Sequence, residues 1–233
     1  MSTVIRTQDL VKTYSDHGVP VEAIRGVTIE IKKGEFTAIV GPSGSGKTTM
    51  LNLIGGLDKP TAGTIEIDGM NITTMGQNKL IDFRLNHIGF VFQAYNLIPV
   101  LTALENVEFI MLLQREPPAK RYSRAKELLE SVGLGGELGR RPYELSGGQQ
   151  QRVAVARALA SMPTFVLADE PTANLDSKSA DNLLDIMEGL NRDRGMTFVF
   201  STHDPRVMKR AHRVITLTDG RVTADGPYTA EAE

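Results

Sequence analysis

No cysteine occurs in the 233 residues, which excludes a disulfide framework and thiolate chemistry and fits a reducing compartment. Nor does any apolar run approach the roughly 18 residues that a membrane-crossing helix needs; stretches such as Phe109 to Leu113 are far shorter. Any membrane role is therefore expected to run through a partner. From Met1 to Glu30 charges interrupt every short apolar run and no signal-peptide core is found, so the mature chain is expected to start inside the cell. An excess of charge is missing too. The 26 basic and 28 acidic side chains leave a net charge of -2, giving no bulk attraction to nucleic acid or anionic lipid. No nucleic-acid partner is expected.

What is present is ordinary for a folded protein: 41% hydrophobic and 23% charged residues, against disordered or fibrous classes. The length allows one large domain or two small ones, and one is taken as the starting point. Val27, Ile29 and Ile31 alternate with polar residues as in a strand, Lys33-Gly34 supplies a turn, and Phe36 to Val40 is a buried-type apolar run. Thr48 to Leu57 has helical character, Pro60 and Gly63 break it, and Thr64 to Ile67 alternates as a strand ending at Asp68-Gly69. From about residue 94 to 161 the chain turns mainly helical. There Ala125, Leu128, Leu129 and Val132 form a stripe, and Gly133 sits where a helix would stop. Strands return at Phe165 to Asp169 and Thr197 to Thr202, separated by a helix with Leu183, Met187 and Leu190 on one face. A hairpin around Asp219-Gly220 closes the pattern, with Val214 to Leu217 and Arg221 to Thr223 as its strands.

Gly41-Pro42-Ser43-Gly44-Ser45-Gly46-Lys47-Thr48 lies between an expected strand and an expected helix, the context a phosphate-binding loop requires. Glycines let successive backbone N–H groups turn inward, and the helix start adds partial positive charge. Lys47 would reach the β- and γ-phosphates, and the Thr48 hydroxyl would ligate Mg²⁺. Thr49 completes the expected phosphate-binding set.

Phe165-Val166-Leu167-Ala168-Asp169-Glu170 is an apolar strand ending in two acids, and ligand chemistry in α/β sheets gathers at strand carboxyl ends. Asp169 would hold Mg²⁺. Glu170, pointing the other way, would position or deprotonate water attacking the γ-phosphate. Alone, such a pair also fits a solvated loop start.

Leu145-Ser146-Gly147-Gly148-Gln149 precedes a helix-forming run from Gln150 to Ala160, with Ser146 as N-cap. A glycine-rich helix start is a second anion-binding feature. Either both motifs meet one terminal phosphate from two sides of one molecule, or each chain lends its second motif to another copy.

LSGGQ followed by QQRVAVARAL and then LADEPTANLD resembles the ATP-binding cassette (ABC) family over nearly the whole chain. The resemblance implies an α/β fold: a P-loop, RecA-like core (about 1–93 and 162–225), an N-terminal antiparallel β subdomain and an inserted α-helical subdomain (about 94–161). It implies an ATPase using ATP and Mg²⁺. It also implies a head-to-tail pair of identical chains, in which Ser146, Gly148 and Gln149 of one cap the ATP held by the other.

By the same resemblance Tyr14 stacks on adenine, Gln93 touches Mg²⁺ and the attacking water, the Asp of Ala173-Asn174-Leu175-Asp176 speaks across the dimer, and His203 contacts the γ-phosphate. Read by themselves, Tyr14 is a strand tyrosine, Gln93 a strand-end polar residue, Asp176 a helix cap and His203 a structural histidine.

Gln93 to Pro99, Leu101 to Val107 and Asn52 to Asp58 look like the branch serving lipoprotein release, macrolide or peptide export, and cell division. That branch implies a membrane-spanning permease partner and a peripheral place on the cytoplasmic face of the membrane, with either cargo moved or only a signal transmitted. The apolar stretch from Leu97 to Leu104 is expected to be the surface that meets the permease, or else core of the helical part.

Overall fold

The computed structural model describes residues 2–15 and 18–228. In chain order the strands and helices are β1 (Thr3–Tyr14), β2 (Val21–Lys32), β3 (Phe36–Val40), α1 (Lys47–Ile54), β4 (Ala62–Ile67), β5 (Met70–Asn71), α2 (Gln77–His87) and β6 (Ile88–Val91). There follow α3 (Ala103–Leu113), α4 (Pro118–Ser131), α5 (Gly147–Ala160), β7 (Phe165–Asp169), α6 (Ser177–Arg194), β8 (Thr197–Ser201), α7 (Pro205–Arg210), β9 (Arg213–Thr218) and β10 (Arg221–Gly226).

A four-stranded sheet runs β2-β1-β4-β5 and a six-stranded sheet runs β10-β9-β3-β8-β7-β6. The first pairs antiparallel throughout. In the second, β9, β3, β8, β7 and β6 are parallel and only β10 is antiparallel. This is the expected α/β architecture, with α3, α4 and α5 inserted between β6 and β7.

Period-two alternation divides each central strand between two cores. Phe165, Leu167, Val199 and Ile215 face the antiparallel layer and α1, packed with Ile5, Ile31 and Leu53. Val166, Ala168, Phe198 and Phe200 face the helices, packed with Val155, Leu184 and Met187. Burial on both faces is why β3, β7 and β8 read as continuous apolar runs rather than alternating ones. Phe36 and Phe200 sit 4.6 Å apart across β3 and β8, each fully buried and stabilising by about 1.5–3 kcal/mol through area alone.

Helix α5 lies close against β6. A Cβ on Gly89 would stand 2.6 Å from the Ala158 carbonyl oxygen, so only glycine admits this approach.

Two helix boundaries and one unexpected helix differ from the sequence reading. Helix α1 stops at Ile54, short of Leu57, because Gly55 caps it and Gly56 turns to φ +61°. Helix α4 starts at Pro118 rather than Ser123, proline being suited to a first helical position. Helix α2 buries only Leu80 and Phe83, too few positions to show a periodic stripe.

Candidate functional site

Because β3, β8, β7 and β6 are parallel neighbours, their carboxyl ends share one edge of the sheet. The chain leaves that edge into Gly41, into Thr202-His203, into Glu170, and into Phe92-Gln93. Residues far apart in sequence thus meet at one place.

The loop after β3 is built for close backbone approach. Gly41 has φ +147° and a Cβ there would fall 2.1 Å from the Leu217 carbonyl; Gly46 has φ +103° and its Cβ would fall 2.5 Å from the Ala23 carbonyl. Gly46 is the N-cap of α1 and offers no side-chain cap, so the first-turn N–H groups remain available to an anion. Lys47 Nζ donates to the Gly41 carbonyl at 2.8 Å and the Pro42 carbonyl at 3.0 Å. Ser45 is buried and its Oγ has no hydrogen-bond partner among the described residues, whereas Ser43, Gly44 and Thr48 are exposed. Donors without acceptors, a cation and a glycine-rich cradle fit the phosphates of a nucleotide.

Asp169 ends β7 and Glu170 is the first residue beyond it. Thr48 Oγ1 donates to Asp169 Oδ1 at 3.2 Å. Glu170 has φ +45° and its carboxylate is held at both ends: Oε1 lies 2.7 Å from His203 Nδ1 and Oε2 accepts from Thr202 Oγ1 at 3.3 Å. His203 is 74% exposed at its side chain while Glu170 is 15% exposed, so the histidine reaches over the acid toward the open face. Among the described residues no cluster of three or more His, Asp or Glu could hold a metal. Thr48 and Asp169 supply two hard oxygen ligands, which suits Mg²⁺ completed by phosphate and water oxygens.

Gln93 lies exposed in the turn after β6. Its side chain makes no hydrogen bond to Thr48 or Asp169; instead its backbone carbonyl accepts from Asn174 Nδ2 at 2.9 Å. Ser146 caps α5 as expected, through a reciprocal pair with Gln149: Ser146 Oγ accepts from Gln149 N at 3.3 Å, and Gln149 Oε1 accepts from Ser146 N at 2.9 Å. Among the described elements, the main packing partners of α5 are α3, α4, β6 and α6. Gly148 abuts Ser179 of α6. Asp176 caps α6, accepting from Ser179 N at 2.9 Å.

Tyr14 ends β1 beside Thr49, and its hydroxyl donates to Asp58 Oδ2 at 2.9 Å, with Lys12 Nζ 4.7 Å from the ring centroid. Burial is the main cause raising the tyrosine above its ordinary range. Burial pushes Asp58 up, but hydrogen bonds from Lys12 and Tyr14 outweigh it and hold the carboxyl low.

Sequence reasoning missed several residues that buttress this edge. Gln151, on the buried face of α5, donates to the Phe92 and Pro171 carbonyls. Arg157 donates to the Tyr95 and Asn96 carbonyls beyond Gln93. Asp204, next to His203, accepts from Thr172 Oγ1 at 2.7 Å and pairs with Arg206 at 2.8 Å. Burial opposes its charge, yet the Arg206 and Thr172 hydrogen bonds keep its carboxyl below the ordinary range. The available signal was polarity on an apolar helix stripe, as with Gln151 among Ala154, Val155 and Ala158.

The stretch from Leu97 to Leu104 is not one surface. Leu97 and Leu104 pack on the core, Ala103 is buried and Val100 is exposed. Beside it lies a groove of about 430 Å³, lined by Ile81, Leu85, Phe90, Ile98, Phe109 and Arg157.

Residues 24–173 match the family model described as ABC transporter. The chain is 48% identical to the lipoprotein-releasing system ATP-binding protein LolD of Anaeromyxobacter dehalogenans, over 93% of this chain and 91% of that protein. It is 45% identical to the macrolide export ATP-binding/permease protein MacB 1/2 of Paracoccus denitrificans, over 95% of this chain but 33% of that protein. Among solved structures, the ATP-binding cassette MJ0796, in a dimeric post-hydrolysis state bound to ADP and Pi, superposes with a TM-score of 0.89 at 43% identity, covering 97% of this chain and 99% of that one.

Proposed function

The chain belongs to the ABC transporter family as an ATP-binding, ATP-hydrolysing subunit, and from that premise we propose that it drives lipoprotein or lipid extraction, export or mechanotransmission through a membrane-spanning permease. The observation that carries this reading is its likeness to LolD along nearly all of both chains. Two copies would pair head to tail around two ATP molecules, each lending Ser146, Gly148 and Gln149 to the nucleotide of the other; the dimeric MJ0796 cassette supports such pairing. The assembly would sit on the cytoplasmic face of the membrane, held there by the permease. We divide the chain into a core of about 1–93 and 162–225 and a helical part of about 94–161.

The reaction is phosphoryl transfer to water, helped by positioning and electrostatics. The loop from Gly41 to Thr49 holds the phosphates, with Lys47 on the β- and γ-oxygens, and Tyr14 offers its ring to adenine. Thr48 and Asp169, with Gln93, would hold Mg²⁺, whose charge offsets that developing on the phosphates. Glu170, its carboxylate oriented by His203 and Thr202, takes a proton from water as oxygen bonds to the γ-phosphorus and the bond to ADP breaks. His203 then faces the γ-phosphate from the open side.

A Glu170→Gln change is expected to keep ATP binding, lower turnover about a hundredfold or more, and trap an ATP-dependent dimer visible by size exclusion. Ordinary turnover in that variant would overturn the assignment of the base.

The groove lined by Ile81, Phe90 and Ile98, with exposed Val100 nearby, is the surface we assign to a short cytoplasmic helix of the permease. Aspartate at Ile81 or Val100 is expected to spare ATPase activity and abolish co-purification with the membrane subunit. A retained complex would sink this assignment.

A further inference from the structure

The side chain of Gln151 is wholly buried, yet it lies on α5, five residues beyond the Ser146 cap. Its Nε2 donates to the Pro171 carbonyl at 2.9 Å and to the Phe92 carbonyl at 3.3 Å. Pro171 directly follows Glu170, and Phe92 directly precedes Gln93. One amide thus bridges the two backbone segments that carry the water-handling side chains. Its orientation is forced, because both neighbours are carbonyl acceptors and only an NH₂ group can satisfy them. Its Oε1 is buried with no partner among the described residues, so the amide is retained despite an unmet acceptor that an apolar side chain of equal length would avoid.

We propose that Gln151 is a positioning residue for hydrolysis: it fixes Gln93 and Glu170 relative to each other, and both relative to the helix that begins at Ser146. A second hydrogen bond, from Asn174 Nδ2 to the Gln93 carbonyl, ties the same turn to the segment beyond Pro171. Together they close a loop of contacts running from the end of β6 through α5 to the end of β7. Gln151 is wholly buried and bonds only to backbone carbonyls behind the site, so its effect falls on turnover rather than on ATP binding. The inference rests on the roles assigned above to Glu170 and Gln93.

Gln151→Met keeps length and packing but removes both N–H donors. Steady-state kinetics on the purified full chain are expected to show kcat reduced by about 10- to 100-fold, the size of a small misplacement of reacting groups. The KM for ATP is expected to stay within about twofold. In a Glu170→Gln background the ATP-dependent dimer should still form. Gln151→Glu supplies a second readout, since only its protonated carboxyl can donate to a carbonyl: its kcat relative to the original chain should rise as pH falls. A kcat within about twofold of the original chain in Gln151→Met, or a parallel loss of kcat, ATP affinity and thermal midpoint, would overturn the proposal. Should Gln151→Met fail to fold, a pH-independent ratio for Gln151→Glu overturns it instead. If Glu170→Gln alone hydrolyses ATP normally, the reading of the site has failed; if it does not and Gln151→Met does, only this inference has.

Discussion

The Thr48 hydroxyl donates to Asp169 Oδ1 across 3.2 Å, although 121 residues separate the two. The first sits at the start of α1 and the second at the end of β7, so the contact joins the phosphate loop to the acidic strand end. Breaking either partner should therefore disturb the metal before the nucleotide. Asp169→Asn and Thr48→Ala are each expected to raise the Mg²⁺ concentration for half-maximal ATPase activity by about 10- to 100-fold. Binding of a fluorescent ATP analogue without Mg²⁺ should change little. A magnesium titration of activity, paired with that binding measurement, checks both parts.

Gly41 and Gly44 provide a matched test of the cradle. Alanine at Gly41 meets the Leu217 carbonyl at 2.1 Å, whereas alanine at Gly44 meets nothing within 4 Å, and both have positive φ. Gly44→Ala is expected to cost about 1–2 kcal/mol from backbone strain alone. Gly41→Ala should cost more, about 3 kcal/mol, because a neighbouring strand must move. Urea denaturation midpoints give the comparison.

Tyr14 separates into ring and hydroxyl. Its hydroxyl serves Asp58, so Tyr14→Phe is expected to cost about 0.5–1.5 kcal/mol of stability and leave ATP affinity near that of the original chain. Tyr14→Ala removes the ring and should weaken ATP by about 1–3 kcal/mol if the ring stacks on the base. Calorimetric titration with ATP and with inorganic triphosphate distinguishes lost stacking from lost loop structure, since only ATP should lose affinity.

Asp204 makes stability depend on pH in a defined direction. Its folded carboxyl titrates below the ordinary value of 3.8, so on acidification the unfolded chain takes up this proton first. Its stabilisation is complete above the ordinary value and drains away as pH falls through the lower folded one. Asp204→Asn is therefore expected to be less stable than the original chain at neutral pH, with the gap narrowing at acid pH. Denaturant midpoints of the two proteins between neutral pH and the acid limit of folding provide the check. A gap that widens with acid would contradict the sign.

Much of the site was legible because its signals are local. The run from Gly41 to Thr48 carries loop, cation and hydroxyl in one contiguous stretch, and the strands before Gly41 and Glu170 are apolar runs with clear ends. Ser146 and Asp176 announce themselves as caps by the elements that follow. Gln151 does not, because its partners are the carbonyls of Phe92 and Pro171, which only tertiary structure brings near; Asp204 caps α7 locally and pairs with Arg206, and only its contact with the Thr172 hydroxyl is tertiary. The turn holding Gln93 shows the same limit: only the family resemblance suggested a ligand there, and its backbone contact with Asn174 depends on β6 and β7 being neighbours. Helix α2 was missed for a different reason, its two buried positions being too few to mark a face.

The tight seam between Gly89 and Ala158 has a mechanical side. Pinned there near its last turn, α5 is a lever of about 18 Å from Ala158 to Ser146, at 1.5 Å per residue. A tilt of about 5° about that pivot would carry the Ser146 end sideways by about 1.5 Å, half a hydrogen-bond length. Swapping the glycine for alanine would push the helix off this seam and displace its Ser146 end, with no atom of the phosphate loop altered.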